Sequence, residues 1–339
     1  MTLTVNDALD FLETQWASAN QNKVNGILTE VRFKSLLTSH NVHWTPGGWI
    51  LTPGNNSKTT LPTRSKVCLI PQLPAFPWLP AQAPNPCPSL TQVSAFSFFK
   101  QMGVDAYFAQ SSGAIPNSFA LPTPSSSRTA TSPVRPASYP ASIGVQLVQI
   151  QPTGPAAVVP DAQVFSNFPG RSGARGLRAY PLGRLDRSSS PWTSPSVVAE
   201  LFWFEYVRYY FNRTYLQSNN DLDLFIHGPS GRVYPVEVKG KTPAYDNSIG
   251  EWFGIDIGPF AKFSFFTANS NNNDALYVVE EVTPQRNHVA WHAITFTELV
   301  KACAWVGRGG GTGMTGGASS TYRVPKAAFS SFRSLLPSL

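Results

Sequence analysis

Residues 219–242 read NNDLDLFIHGPSGRVYPVEVKGKT, and their pattern decides the fold. Two runs of alternating apolar and polar residues flank Pro229-Ser230-Gly231, a three-residue connection in which Gly231 supplies the left-handed position. The spacing predicts a β-hairpin that pairs Gly228 with Arg232. Counting back along both strands sets Asp223 opposite Glu237 and Asp221 opposite Lys239, all on one face because side chains alternate with period two. The other face collects Leu222, Leu224, Ile226, Tyr234, Val236 and Val238. One face is therefore expected to be core, and the other to hold two opposed acids beside a lysine. Opposed carboxylates destabilise a hairpin unless a lysine or a metal compensates them, and such violations of good sheet design tend to mark function. Two carboxylates with nearby carbonyl or water oxygens make a hard-ligand set suited to Mg2+. Such an ion polarises a phosphate and helps generate hydroxide, and Lys239 is placed to orient the water or offset transition-state charge.

The segment before the hairpin, SPSVVAELFWFEYVRYYFNR at 194–213, reads as a buried helix: Ser194 can cap it, Pro195 fits its first turn, and it is apolar almost all round. Glu200 and Glu205 are costly there unless paired, turned outward or bound to a cation. After the hairpin, GPFAKFSFF at 258–266 predicts a helix starting near Pro259, and ALYVVEEV at 275–282 predicts a strand. Nearer the N-terminus, apolar spacing predicts helices over 6–18 and about 25–38, the second carrying Glu30, with turns and a short strand, WILTP, to follow.

Between these regions regular structure is sparse. The stretch 70–90 holds seven prolines and is expected to be an irregular loop packed by Phe76, Trp78 and Leu79. Residues 122–140 read as a surface loop or linker, and GVQLVQIQP at 144–152 as a strand. Arg171, Arg175, Arg178, Arg184 and Arg187 follow among small residues, able to reach phosphates or base edges or to form a solvated basic loop. The Gly-rich segment 307–317 lacks the GK[ST] of a phosphate-binding loop. The expected organisation is an N-terminal helical region over 1–70, a Pro/Ser/Arg-rich insertion over 71–190 that serves DNA recognition, and a catalytic core over 191–339.

Composition narrows the function classes. Only 13% of the 339 residues are charged, and Lys+Arg outnumber Asp+Glu by 26 to 19, for a net charge of +7. A polyanionic partner is permitted by that balance, and any cluster of the scarce acids carries information. Cys68, Cys87 and Cys303 have no metal-ligand or disulfide spacing, which fits a reducing, cytoplasmic setting. No signal peptide or membrane-spanning run is expected. His227, His288 and His292, and the loop acids Asp246, Glu251 and Asp256, read as ordinary polar residues.

Asp223, thirteen further residues and then Glu237-Val238-Lys239 resemble the D…E-x-K motif of the PD-(D/E)XK nuclease superfamily. The resemblance covers about a third of the chain. It implies an α/β restriction-endonuclease-like core, a mixed β-sheet flanked by helices, here with an N-terminal helical region and loop-rich insertions. It also implies Mg2+-dependent phosphodiester hydrolysis, with Asp223, Glu237 and the Val238 carbonyl as metal ligands and Lys239 as catalytic lysine. Many members add an acid from the first core helix; Glu200 is the first choice and Glu205 the second. Glu30 on its earlier helix, followed by WILTP and a long insertion, is the alternative. Two features depart from the pattern: no proline precedes Asp223, and Asp221 competes as the motif acid.

The expected activity is that of a type II restriction endonuclease on double-stranded DNA, acting as a homodimer at palindromic sites, with no small-molecule cofactor. Lys241 and Arg232 flank the motif and read equally well as phosphate contacts or as plain exposed hairpin charge. A repair or recombination nuclease is the alternative enzyme. A DNA-binding protein that keeps the scaffold without turnover, or an interaction protein acting through the Pro-rich stretch, are the non-enzymatic alternatives.

Overall fold

A computed structural model describes residues 3–16, 21–54, 66–79, 98–99, 103–113, 115, 133–134, 143–149, 157–171, 177–178, 185–268, 274–309 and 320–339. In chain order the elements are α1 (Val5–Trp16), α2 (Gln21–Ser39), β1 (Trp44–Pro53), β2 (Val67–Pro71), β3 (Asp105–Ser111), β4 (Pro133–Val134), β5 (Val145–Gln149), β6 (Ala157–Val159), α3 (Asp161–Val164), β7 (Leu177–Arg178) and α4 (Pro195–Asn212). They continue with β8 (Gln217–His227), β9 (Val233–Lys241), β10 (Ala244–Asp246), β11 (Gly250–Asp256), α5 (Ile257–Ala268), β12 (Leu276–Val282), β13 (His288–Thr295), α6 (Phe296–Ala302), β14 (Arg308–Gly309), β15 (Ser320–Pro325), β16 (Ser330–Ser331) and α7 (Phe332–Leu335). The class is α/β, with mixed sheet flanked by helices. Among the described residues no helix is long and apolar enough to cross a membrane.

The chain forms two compact units, and they do not follow the consecutive segments 1–70, 71–190 and 191–339. One unit takes residues 1–25, 48–89 and 104–219; the other takes 26–47, 90–103 and 220–339. The N-terminal helical region is thus divided, because α2 contributes its later turns to the unit that contains the hairpin.

In the hairpin unit β9 is flanked by antiparallel β8 and parallel β12, and antiparallel β13 and β16 extend the sheet beyond β12. A parallel neighbour needs a crossover, and the segment between β9 and β12 supplies it, with α5 as its helix. The apolar hairpin face forms a core: Leu224, Ile226, Tyr234, Val236 and Val238 pack with Leu276 and Val278 of β12 and with Phe33 and Leu37 of α2. Phe33 stands edge-on to Phe332 with ring centroids 4.9 Å apart. The acid-bearing face is covered too. Phe225 meets Phe98 and Phe99, and Phe98 meets Phe266 of α5 at 5.6 Å. Both faces of the hairpin are therefore buried, as strands beside a parallel neighbour usually are.

The start of β1 approaches the same hairpin. A Cβ on Gly47 would lie 1.8 Å from the Leu222 carbonyl oxygen, so glycine is required for this contact. A smaller sheet, β10-β11-β15-β14, belongs to the same unit. Lys326 joins it to the main sheet by pairing with Glu251 at 2.9 Å and Glu281 at 2.8 Å. Asp246 pairs with Arg323, and Asp256 accepts from the Thr321 hydroxyl at 2.8 Å. The three acids, expected as solvated loop residues, thus lie on β10 and β11 and have structural partners.

In the other unit β1 pairs antiparallel with β2, β2 parallel with β3, and β5 and β6 follow antiparallel. Of these strands, β2 stands where the sequence shows only a short apolar run, whereas β3 falls where 91–110 reads as helix followed by strand. Phe11 of α1 packs against Phe202, Tyr206 and Tyr209 of α4, and Trp49 of β1 lies 4.2 Å from Phe204. Phe76 is buried, stacks on Trp78 and meets Phe202, as expected for the first part of the Pro-rich loop. Residues 80–90 of that loop, most of 122–140 and most of the Gly-rich segment lie outside the described residues.

Candidate active site

The hairpin register is the one the turn predicts. Leu224 pairs with Val236 and His227 with Val233, the Gly228 N–H donates to the Arg232 carbonyl at 2.9 Å, and Gly231 takes φ +78°. Just beyond Leu224 the pairing changes character: the Val238 N–H donates to Asp223 Oδ2 at 2.7 Å. A side-chain carboxylate has replaced a main-chain acceptor, which fixes Asp223 against the Glu237-Val238-Lys239 strand. The ladder ends at Leu224–Val236, so neither expected strand pair, Asp223 with Glu237 or Asp221 with Lys239, forms. The Asp221 carbonyl accepts instead from Lys262 Nζ of α5.

Glu237 is held from two sides. Lys239 Nζ lies 2.7 Å from its Oε1 and Lys262 Nζ lies 2.9 Å from its Oε2. Asp223 is 9% exposed and Glu237 4%, so both charges are in a poorly solvated place. Their responses differ. Burial alone would raise the Glu237 carboxyl, but the two ammonium groups outweigh it and hold it at about 2. At Asp223 burial and then the Glu237 charge win, and the carboxyl is pushed up to about 6. Lys239 is driven well above the ordinary lysine range: burial opposes its charge, but Glu237 and Asp223 overcome that. Its side chain keeps 34% exposure, so the ammonium can meet an incoming ligand.

Glu30 of α2 belongs to this group. Its carboxyl is raised well above the usual range, first by burial and then by the charge of Asp223, with Lys34 and Lys239 acting in the opposite sense. Phe33 and Leu37, on the core-facing stripe of α2, seat the helix on the hairpin. A forked pair two residues from Glu30 sets its position: Arg32 Nε and Nη2 meet the two carboxylate oxygens of fully buried Glu280 at 2.8 and 2.6 Å.

The first-choice helix acid, Glu200, lies on α4 in the other unit, whereas Glu30, Asp223, Glu237 and Lys239 share one unit. Glu205 also sits on α4. Lys23 Nζ at 2.9 Å and Arg208 Nη2 at 2.8 Å satisfy it, and these cations overcome its burial to hold it at about 2. It is an ion-paired core acid. The placement of the helix acid thus favours the alternative the sequence left open, Glu30, over Glu200.

Two of the five arginines have structural work within their own unit. Arg171 Nε donates to the Asn212 carbonyl at 2.6 Å, and Arg187 pairs with Glu13 at 2.9 Å and with Asp10. These engagements tie loops to helices. Arg175, Arg184 and the side chain of Arg178 lie outside the described residues. Arg232 is exposed at the hairpin turn. Lys241 follows the motif, its ammonium disfavoured by burial and only partly restored by Asp256. His288 Nδ1 lies 3.0 Å from Glu280, and His292 Nε2 lies 2.6 Å from Glu281, so both are structural partners of buried acids.

Sequence reasoning did not single out Lys262. The available signal was its isolation: it is the one charged residue in the helix IGPFAKFSFFTA.

Among the described residues no cluster of three or more His, Cys, Asp or Glu side chains is arranged as a metal cage. Mg2+ does not require one, since it is usually held by one or two carboxylates and keeps several waters. The residues fit a cation on a direct observation: an ammonium group, Lys262 Nζ, already sits against Glu237 Oε2 and the Asp221 carbonyl. Asp223, Glu237 and the Val238 peptide would hold the ion, and Glu30 is close enough in charge to sense it. No protein-family model, curated protein or solved structure matches the chain.

Proposed function

We propose that the protein is a Mg2+-dependent endonuclease of the PD-(D/E)XK type, acting on double-stranded DNA, and that its biological role is site-specific type II cleavage as a homodimer. One observation carries this reading: Asp223 and Glu237 stand side by side on adjacent buried strands, with Lys239 on one and Glu30 charge-coupled to the group. Neighbouring buried carboxylates are unfavourable in a purely structural hairpin; two lysines compensate Glu237 here, and the Asp223 carboxyl, still pushed up to about 6, supports the reading that the group also serves a cation.

Bound Mg2+ would polarise a phosphoryl oxygen and lower the pKa of a coordinated water. The chain's own residues supply the rest. Asp223, held by the Val238 N–H, and Glu237, held by the Lys239 ammonium, would supply the carboxylate oxygens that hold such an ion. Lys239, kept charged by its acidic neighbours and partly exposed, stabilises negative charge growing on the scissile phosphate. Glu30 adds a further oxygen ligand or a water partner from α2. The aromatic cover from Phe98, Phe99 and Phe266 lies over part of the acid-bearing face at Phe225, where it limits water access and strengthens these interactions.

The test is incubation with plasmid DNA and Mg2+, followed by sequencing of the ends. Discrete fragments support the restriction role, and scattered nicks favour a repair or recombination nuclease. Absence of cleavage over many sequences and divalent metals would remove both and leave a non-catalytic DNA-binding protein.

A further inference from the structure

We propose that Lys262 is a resident cation of the candidate active site: in the metal-free protein its ammonium group occupies part of the divalent-ion position, and metal loading displaces it. This rests on the reading of Asp223 and Glu237 as metal ligands, and it adds an occupant to that site.

Lys262 reaches the site from α5, a helix otherwise built to bury aromatic rings. Phe266 packs on Phe98, Phe263 on Phe296, and Phe260 on Phe296 and Tyr322. These contacts fix the helix rotation, and the lysine side chain is left only 12% exposed. Its Nζ meets two oxygens of different kinds, Glu237 Oε2 and the main-chain carbonyl of Asp221. A carboxylate oxygen and a backbone carbonyl are the donors a hard divalent ion uses. Lys239 already neutralises Glu237 through the other oxygen, Oε1. Lys262 is thus the second cation on one carboxylate, and Glu237 Oε2 can bind a metal only after this contact opens.

The arrangement has two consequences. Without metal, the ammonium offsets acid repulsion, so the site is assembled before it is loaded. With metal, the ion must replace a +1 group on the same oxygen, so affinity is lower than the acids alone would give.

Calcium supports binding without requiring turnover, so calorimetric titration with Ca2+ reads loading alone. K262M keeps an unbranched stem, one heavy atom shorter, and removes the charge. We expect it to bind Ca2+ at least tenfold more tightly than the unaltered protein, while its metal-free form melts at a lower temperature. Equal or weaker binding by K262M would overturn the proposal and leave the metal site intact. If neither protein binds Ca2+, Mg2+ or Mn2+, the metal-site reading fails first, and the proposal with it.

A second measurement uses the unaltered chain and does not depend on a variant folding. Amine acylation of Lys262, followed by mass spectrometry, should accelerate severalfold when Ca2+ is added at saturation, because a displaced ammonium is freer to react. An unchanged or slower rate at Lys262, with other lysines as internal controls, counts against displacement.

Discussion

Glu205 and Asp223 are both buried carboxylates, each in a different compact unit, and they respond to burial in opposite ways. Glu205 is one acid between two cations, and its carboxyl falls to about 2. Asp223 shares Lys239 and Lys262 with Glu237 and with the charge of Glu30, and its carboxyl rises to about 6. The first group is balanced within the protein. The second is a cluster in which acids act on one another as well as on lysines, and that mutual repulsion adds to burial in lifting the Asp223 and Glu30 carboxyls. Burial of an acid therefore says little by itself; the local charge count separates structure from function.

The largest test of that contrast is Glu237→Ala. It should lower plasmid cleavage by about 10³-fold while leaving DNA binding by gel shift near the unaltered level, because it removes an electrostatic anchor of the reaction. Cleavage at the original rate would end the assignment. Glu205→Ala should do the reverse: a loss of about 2–4 kcal/mol in urea unfolding, as expected when a buried pair loses one partner whose cations are partly hydrated, with divalent-ion affinity retained. If Ca2+ affinity collapsed in step with stability, the two groups would not be separable.

Glu30→Gln should lower metal affinity or cleavage by about 10- to 100-fold, the range for a group that supports metal ligands. It should cost more than Glu200→Gln, and the opposite order would restore α4 as the source of the helix acid. The smallest expected effect is on pH dependence. Glu205 has a folded value below its ordinary 4.5, so its stabilisation is complete above that pH and is lost as pH falls toward 2. Asp223 has a folded value above its ordinary 3.8, so the fold favours its protonated form, and that contribution is lost as pH rises through about 6. Thermal melts without metal should show both slopes, and Asp223→Asn should abolish only the one between about pH 4 and 6. Added Mg2+ should stabilise increasingly as pH rises across the same window, because the ion needs the ionised carboxylate.

The hairpin was legible because its information is local. The turn at 229–231 sets the register, and period-two alternation then places Glu237 and Lys239 together and Val236 and Val238 behind them. The helices α1 and α2 and the strands β5 and β12 were legible for the same reason. What escaped was set by tertiary packing. The acid face looks like an exposed surface in sequence, but rings from 98–99 and α5 cover it. Glu200 and Glu30 are equivalent as helical acids in sequence, and only the position of α2 against the hairpin distinguishes them. The run of β2 carries no alternation because the strand is buried throughout, whereas β3 was legible as strand at the end of 91–110. Lys262 depends on the rotation of an aromatic helix, which its neighbours' contacts decide.

The interleaving of the two units has a practical corollary. The chain passes from one to the other after Asn25, Gly47, Ser89, Gly103 and Asn219, so no single cut releases either of them. A fragment beginning at residue 191 would keep the whole D…E-x-K motif, yet it would lack Phe33 and Leu37 from beneath the hairpin, Glu30 from beside Asp223 and the phenylalanines at 98 and 99. Such a piece would hold every motif residue and still present the wrong surroundings for chemistry. Dissection of this protein calls for internal deletion within 48–89 or 104–219, with the ends rejoined, rather than truncation.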